Sequence, residues 1–437
     1  MYIIPNCRKD DLKMQSMNKS AEWVKNHWQV MLVLSYLILV PFSRAAAVPI
    51  AVMAVTGLVL SVRGRVDYRN SAVRLFIAVF LCFWLPIVLS LPSAYAPAAS
   101  AKVAVNFLQY LFMGFFIIDV FKGEHFYNYH RWFISACSLV IALWVLDALF
   151  QAVSGFDVFG YSYRFGALNG MFGSDHPKMG IYLATICPLL IMFVSSCRSW
   201  LFGLSAITGM TLVIMLAGRR GGWIMFALVL MGYGLWLIYE QRLKVRWILI
   251  VGLLLVLGSF ATCQISDQFR HRVDQSLLVF RGDSKSIDTA ISNRLPIWKT
   301  ALAIIADRPL TGVGARGFRY AYREYADNND PFIQDPTSLG AFYPHQILLE
   351  LGAETGVAGI IGYLIIIGVL LMQWKNANIE RKRLMLPYCL ALVAILFPFN
   401  THYATYSSHW SSLIFWIFGI YCATLSTSSN RVLIEKL

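Results

Sequence analysis

Two arginines stand side by side in a glycine-rich turn, Gly218-Arg219-Arg220-Gly221-Gly222, and a histidine follows a proline in Tyr343-Pro344-His345-Gln346. Planar guanidinium groups present paired donors that match phosphate or diphosphate oxygens. Glycines on either side let backbone amides approach the same anion. Histidine, with an ordinary pKa of roughly 6.5, is suited to take a proton from an attacking hydroxyl. Arg294 is a third cation, placed at the start of an expected helix, where acidic residues are favoured. Together these residues suit a group transfer in which arginines stabilise a diphosphate leaving group without a metal and His345 activates or orients the acceptor. The sequence has no Asp-x-Asp, and the first outer loop, Pro41-Phe-Ser-Arg-Ala, has no carboxylate. A metal-independent reaction with no cofactor is therefore expected.

These residues lie far apart in the chain, so the elements that carry them decide whether they meet. Apolar residues make up 58% of the 437 and the mean hydropathy is +0.60. Such a composition defines a polytopic membrane protein. Apolar windows of roughly 20 residues place spans near 29–43, 45–62, 74–93, 102–121, 132–152, 179–196, 199–217, 222–240, 246–263, 344–373, 384–400 and 408–426. Twelve spans put both termini on one side.

The distribution of lysine and arginine assigns that side. The N-terminal tail carries Arg8, Lys9, Lys13, Lys19 and Lys25, and alternate loops carry Arg63, Arg65 and Arg69, then Lys122, Arg198, Lys244 and finally Arg381, Lys382 and Arg383. The positive-inside rule makes this face cytoplasmic. Most of the formal charge of +14 is thus orientation signal, and no nucleic-acid partner is needed to explain it. No signal peptide is evident before the first apolar run. The eight cysteines show neither a disulfide framework nor metal-ligand spacing.

The fold class that follows is all-α, with about twelve transmembrane helices and a mostly helical periplasmic subdomain between spans nine and ten. Residues 1–28 form a cytoplasmic tail, 29–263 carry spans one to nine, 264–343 the periplasmic loop, 344–426 spans ten to twelve, and 427–437 a second cytoplasmic tail. Within the loop, Leu295, Trp298, Leu302 and Ile305 recur at helical spacing after Ser292-Asn293, which predicts a capped amphipathic helix over 294–307 lying on the membrane. Gly312-Val-Gly-Ala-Arg-Gly317 matches the dinucleotide fingerprint by letter. Lacking a strand–helix context, it reads as a turn-rich loop.

Further along, His345, Gly352, Gly356 and Gly359 fall near one helix face, a small-residue stripe suited to close packing. Glu350 and Glu354 lie deeper in that helix, where ionisable groups are costly and usually paired. Arg164, His176 and Lys178, in the connection 154–178, are candidates for substrate binding together with Arg308 and Gln346. Asp147, His402 and His409 are weaker candidates. Cations gathered on the outer face call for a membrane-embedded carrier lipid with a diphosphate head, a description that polyprenyl-diphosphate-linked glycans meet.

At this point the chain resembles the O-antigen ligases of Gram-negative bacteria, within the ligase and polymerase superfamily. The likeness rests on the twelve-span layout, the large loop between spans nine and ten, and a pattern of His, Asn/Ser/Gln, nine residues, Gly, two residues and Gly/Thr/Tyr. Here that is His345-Gln346, nine residues, then Gly356-Val-Ala-Gly359. The stretches Arg294 to Trp298 and Arg308 to Gly314 fit the same signature. The resemblance implies that Arg220, Arg294 and His345 matter for activity. The family often has Leu four residues after the turn arginine, whereas Ile224 stands here, which leaves open whether Arg219 or Arg220 holds the main role.

By resemblance, the reaction moves O-antigen polysaccharide from undecaprenyl diphosphate to a sugar of lipid A-core, at the periplasmic face of the bacterial inner membrane. The partners implied are the lipid-linked donor, the lipid A-core acceptor and membrane lipids. Inversion at the sugar is the chemical expectation for a single displacement. An O-antigen polymerase shares donor and layout, and O-linked transfer to protein is a lesser alternative. A flippase or other transporter of lipid-linked glycan would also need arginines, but no internal repeat with interrupted helices stands out. A purely structural scaffold leaves the outer arginine pair without a purpose.

Overall fold

The computed structural model describes residues 27–123, 126–163, 168–173, 178–197, 199–242, 252, 263–264, 267–335, 337–400 and 404–426. Among these residues the architecture is all-helical, and an antiparallel bridge between Phe156 and Ser162 is the sole β-type pairing. Six stretches are long and apolar enough to cross a membrane: His27–Val62, Ser71–Ser93, Pro97–Val120, Phe126–Ser154, Arg220–Tyr239 and Ile347–Asn376. Met179–Ser195 and Trp200–Leu216 are apolar but shorter. The sequence expects twelve spans. Those at 29–43 and 45–62 share the first stretch, in which a 3-10 segment, Val40–Ala46, carries non-helical backbone at Phe42 and Ser43. The span at 246–263, most of its residues undescribed, and both tails lie outside the described residues.

The middle of the bundle is made by its shorter helices. Ser408–Ala423 and Met179–Ser195 are buried on nearly every side, the behaviour of a helix that is apolar all round. Ser408–Ala423 packs on Pro97–Val120, and Met179–Ser195 on Arg220–Tyr239 and Ile379–Leu396. Two crossings are set by glycine. A Cβ on Gly57 would lie 1.9 Å from the Phe112 carbonyl oxygen, and one on Gly362 would lie 2.2 Å from that of Cys82. Backbones approach this closely only where no side chain intervenes.

Residues 267–346 cap one end of the bundle with four short helices, Asp267–Leu277, Ser284–Ala290, Leu295–Asp307 and Phe318–Tyr325. Their small core joins Ile297, Ala301, Ile304, Val313, Phe318 and Tyr322 to Ala353 of the long Ile347–Asn376 helix. The predicted amphipathic helix is present as Leu295–Asp307, and its buried face turns to the protein: Ile305 sits against Gly352. Gly352 packs closely there, but the expected single face of His345, Gly352, Gly356 and Gly359 does not form, because His345 precedes the helix cap and Gly356 is non-helical. The expected Ser292-Asn293 cap is replaced, since both residues are left-handed (φ 68° and 56°) and Asp288 Oδ1, from the preceding helix, accepts from Leu295 N at 2.8 Å.

The Ile347–Asn376 helix is broken at Gly356, where φ is +64°. The glycine-rich loop runs against that break. Val357 N donates to Pro309 O (2.8 Å), Val313 N to Ala353 O (2.9 Å) and Gly314 N to Glu354 O (2.9 Å). Backbone groups freed by an interruption at this depth need such partners. The turn-rich reading of Gly312–Gly317 holds, with positive φ at Gly312, Gly314 and Arg316.

Candidate functional site

The arginine turn is a tight helical hairpin. Gly218, at φ +65°, ends Trp200–Leu216 in the left-handed conformation that glycine adopts without strain. Arg219 is extended, and Arg220 opens the next helix. From there the Arg220 guanidinium reaches into the cap. It donates to Ser276 Oγ at 3.2 Å, to the Ala290 carbonyl and to Ser292 Oγ. The left-handed pair at 292–293 thereby places one hydroxyl on Arg220 and carries the chain into Arg294.

Arg219, Arg220, Arg272 and Arg294 converge from three elements. Arg272 acts electrostatically on Arg219, while Arg219 and Arg220 both act on Arg294. Burial pushes the Arg219 guanidinium below its usual range, and Arg272 adds to the effect. Burial likewise pushes Arg294 down to about 10, against the pull of Tyr343. Among the described residues no carboxylate lies within ion-pair distance of Arg219, Arg220, Arg272 or Arg294. The buried Nε of Arg219 has no hydrogen-bond partner. Like charges gathered out of water without a counterion are costly, and an anion bound among them would relieve that cost.

His345 is held at the mouth of the long helix. Its backbone is left-handed (φ 54°), and Gln346 behind it caps the helix by accepting from Leu349 N. Trp298 Nε1 fixes the preceding Pro344 carbonyl at 3.1 Å. The His345 ring lies 3.9 Å from that of Tyr343, centroid to centroid. Tyr343 is the link to the cations: burial pushes its hydroxyl up to about 12, Glu350 adds to this, and Arg294, Arg219 and Arg316 oppose it. Arg219 and Arg294 thus act on the residue whose ring lies against His345, and Arg220 joins them through Arg294.

Other expected site residues are placed differently. Arg308 ties the cap to the 91–95 turn, donating to Ser93 O (3.1 Å) and Tyr325 OH (3.3 Å), pairing with Asp307 (3.4 Å) and covering the Tyr95 ring. Gln346 also donates to Pro398 O at 2.9 Å. Lys178 precedes Met179–Ser195, where burial lowers its ammonium, and it acts electrostatically on His409, whose ring meets Tyr182 OH at 2.8 Å. Arg164, His176 and His402 lie outside the described residues. Asp147 accepts from Val158 N and Met171 N, a role in shaping its loop.

Glu350 and Glu354 are fully buried. Their oxygens accept mainly from backbone: Glu350 from Thr405 N (2.9 Å) and Glu354 from Arg316 N (2.6 Å). The sequence expects pairing with an arginine side chain of the outer subdomain; among the described residues no such ion pair forms, and backbone amides, Arg316's among them, take its place. Sequence reasoning gave no site role to Arg272 or Tyr343. Tyr343 could have been found from its position two residues before His345. Arg272 had no such signal, being one of many charges that nearly cancel along 264–343.

The arrangement is that of an all-helical protein with membrane-length apolar helices and a cluster of arginines without carboxylate partners among the described residues, a chemistry suited to a phosphorylated ligand. Residues 201–364 match a family model described as O-antigen ligase, and this supports the O-antigen ligase family for the chain. The matched region spans the arginine turn, Arg272, Arg294 and His345. An uncharacterised protein of Haemophilus influenzae is 25% identical over 260 residues, which cover 56% of this chain and 63% of that protein's length.

Proposed function

We propose that this protein is a membrane glycosyltransferase of the O-antigen ligase type, working at the periplasmic face of the inner membrane. A polyprenyl-diphosphate-linked glycan is the donor and a sugar hydroxyl of lipid A-core the acceptor. The observation that carries the reading is the cluster of Arg219, Arg220, Arg272 and Arg294, of which Arg219 and Arg294 act on Tyr343, whose ring lies 3.9 Å from that of His345. The acceptor oxygen attacks the anomeric carbon and the bond from that carbon to the diphosphate oxygen breaks. His345 takes the hydroxyl proton or orients the hydroxyl that loses it. The diphosphate leaves with its growing charge held by guanidinium donors, preorganised before the reaction. Such a displacement inverts the sugar and asks for no metal ion.

The test is reconstitution of purified protein with undecaprenyl-diphosphate-linked O-antigen and lipid A-core in EDTA, comparing wild type with His345→Ala and Arg220→Ala. A glycan-bearing ladder on lipid A-core with wild type alone supports the ligase. Lengthening of the lipid-linked glycan with lipid A-core untouched makes the protein a polymerase. No product from folded protein overturns the enzyme reading in favour of transport.

A further inference from the structure

A second basic cavity, of about 280 Å³, opens at the same end of the bundle between Pro97–Val120, the cap and the start of Ser408–Ala423. Lys102, Arg316 and Arg319 line it, with Asn106, Tyr320 and Ser408 among the polar groups. Lys102 and Asn106 are one helical turn apart on one face, and both are exposed, as is Tyr320. The cavity is therefore open beside a helix able to cross a membrane. Next to it on that helix Val105 is 67% exposed, an apolar surface suited to acyl chains.

No carboxylate lines this cavity. Among the described residues none lies within ion-pair distance of Lys102, Arg316 or Arg319. Arg319 covers the Phe342 ring at 4.9 Å, which fixes its plane, and its buried Nε has no hydrogen-bond partner. Burial lowers its guanidinium, Arg316 adds to that, and Glu354 partly offsets it. Glu354 accepts from Arg316's amide and is not among the groups lining the cavity, whose charged side chains are Lys102, Arg316 and Arg319. Arg316 also acts electrostatically on Tyr343, as Arg219 and Arg294 do.

We propose that the Lys102–Arg316–Arg319 cavity binds the phosphorylated headgroup of a second membrane lipid, with its chains along the Val105 face. Resting on the function proposed above, that lipid is the acceptor, held by its phosphate in a site separate from the arginines assigned to the donor diphosphate.

The experiment is native mass spectrometry of the full-length protein with lipid A-core and with the same lipid after phosphatase treatment, for wild type, Lys102→Gln and the Lys102→Gln/Arg319→Gln double variant. Wild type should retain the phosphorylated lipid about tenfold better than the dephosphorylated one, a difference of one decade in affinity. The double variant should lose that preference and Lys102→Gln, an exposed change harmless to folding, should lose part of it. In the transfer assay the acceptor KM should rise while the donor KM and kcat hold. An unchanged preference in both variants overturns the site. Displacement of the lipid by low-millimolar inorganic phosphate assigns the cavity to free phosphate and overturns the lipid. Because the binding readout needs no turnover, a failure of the ligase reading leaves it decisive.

Discussion

Tyr343 and His345 stack with ring centroids 3.9 Å apart and planes inclined by 40°, while the backbone between them passes through Pro344, whose carbonyl is pinned by Trp298. The ring that could handle a proton is thus held by the same residue that feels Arg294, Arg219 and Arg316.

The left-handed backbone of His345 separates the role of the ring from that of the fold. A non-glycine residue in this conformation costs roughly 1–2 kcal/mol. His345→Gly should therefore melt no lower than His345→Ala, and both should lose transfer activity. Melting by fluorescence and product ladders on gels check this; an active alanine variant would remove His345 from the chemistry.

Arg220 is both a candidate anion ligand and a tie to three groups of the cap. Its replacement by alanine should lower turnover by roughly 10²–10³-fold, the scale for one oxyanion-type donor. Hydrogen exchange over 284–293 should also quicken, since Ser276, Ala290 and Ser292 lose their donor. Arg220→Lys should fail similarly because an ammonium cannot reproduce the forked geometry.

Arg294 gives an alkaline limit. Its folded-state pKa lies below the usual arginine value, at about 10; below that pH the cation is present, and above it the charge is lost. Donor affinity, measured by equilibrium binding, should hold up to the vicinity of pH 10 and then fall. In Arg294→Lys the fall should begin lower, because lysine starts from roughly 10.4 and burial depresses it further. A limb that does not move with this substitution would detach Arg294 from the donor.

Gly356 tests the broken helix. A Cβ there would lie 2.3 Å from the Leu310 carbonyl oxygen and 2.6 Å from Thr311 N, at a φ of +64°. Gly356→Ala should destabilise the protein by several kcal/mol, in the range of overpacking plus backbone strain, and lower the yield of folded protein. Gly368→Ala, on the same helix with nothing within 4 Å of its Cβ, should be silent.

Much of this was legible in the sequence because it is local. The Arg219-Arg220 turn, the Leu295–Asp307 helix, the Gly312–Gly317 turns and His345 at a helix mouth each announce themselves within a few residues. What stayed hidden depends on partners far along the chain. Arg308 and Gln346 looked like ligands, yet their contacts are Ser93, 215 residues away, and Pro398, 52 residues away. Arg272 joins the cluster only because its short helix folds over the arginine turn. Gly356 read as a packing residue, since a glycine in an apolar helix looks the same whether the helix continues or breaks.

The interruption at Gly356 also bears on how the chain is made. Val313 and Gly314 leave the ribosome before Ala353 and Glu354, whose carbonyls accept their hydrogen bonds. The cap's small core likewise waits for Ala353. The cap is therefore completed late in biogenesis, its glycine-rich loop and small core closing only once the following helix has been made.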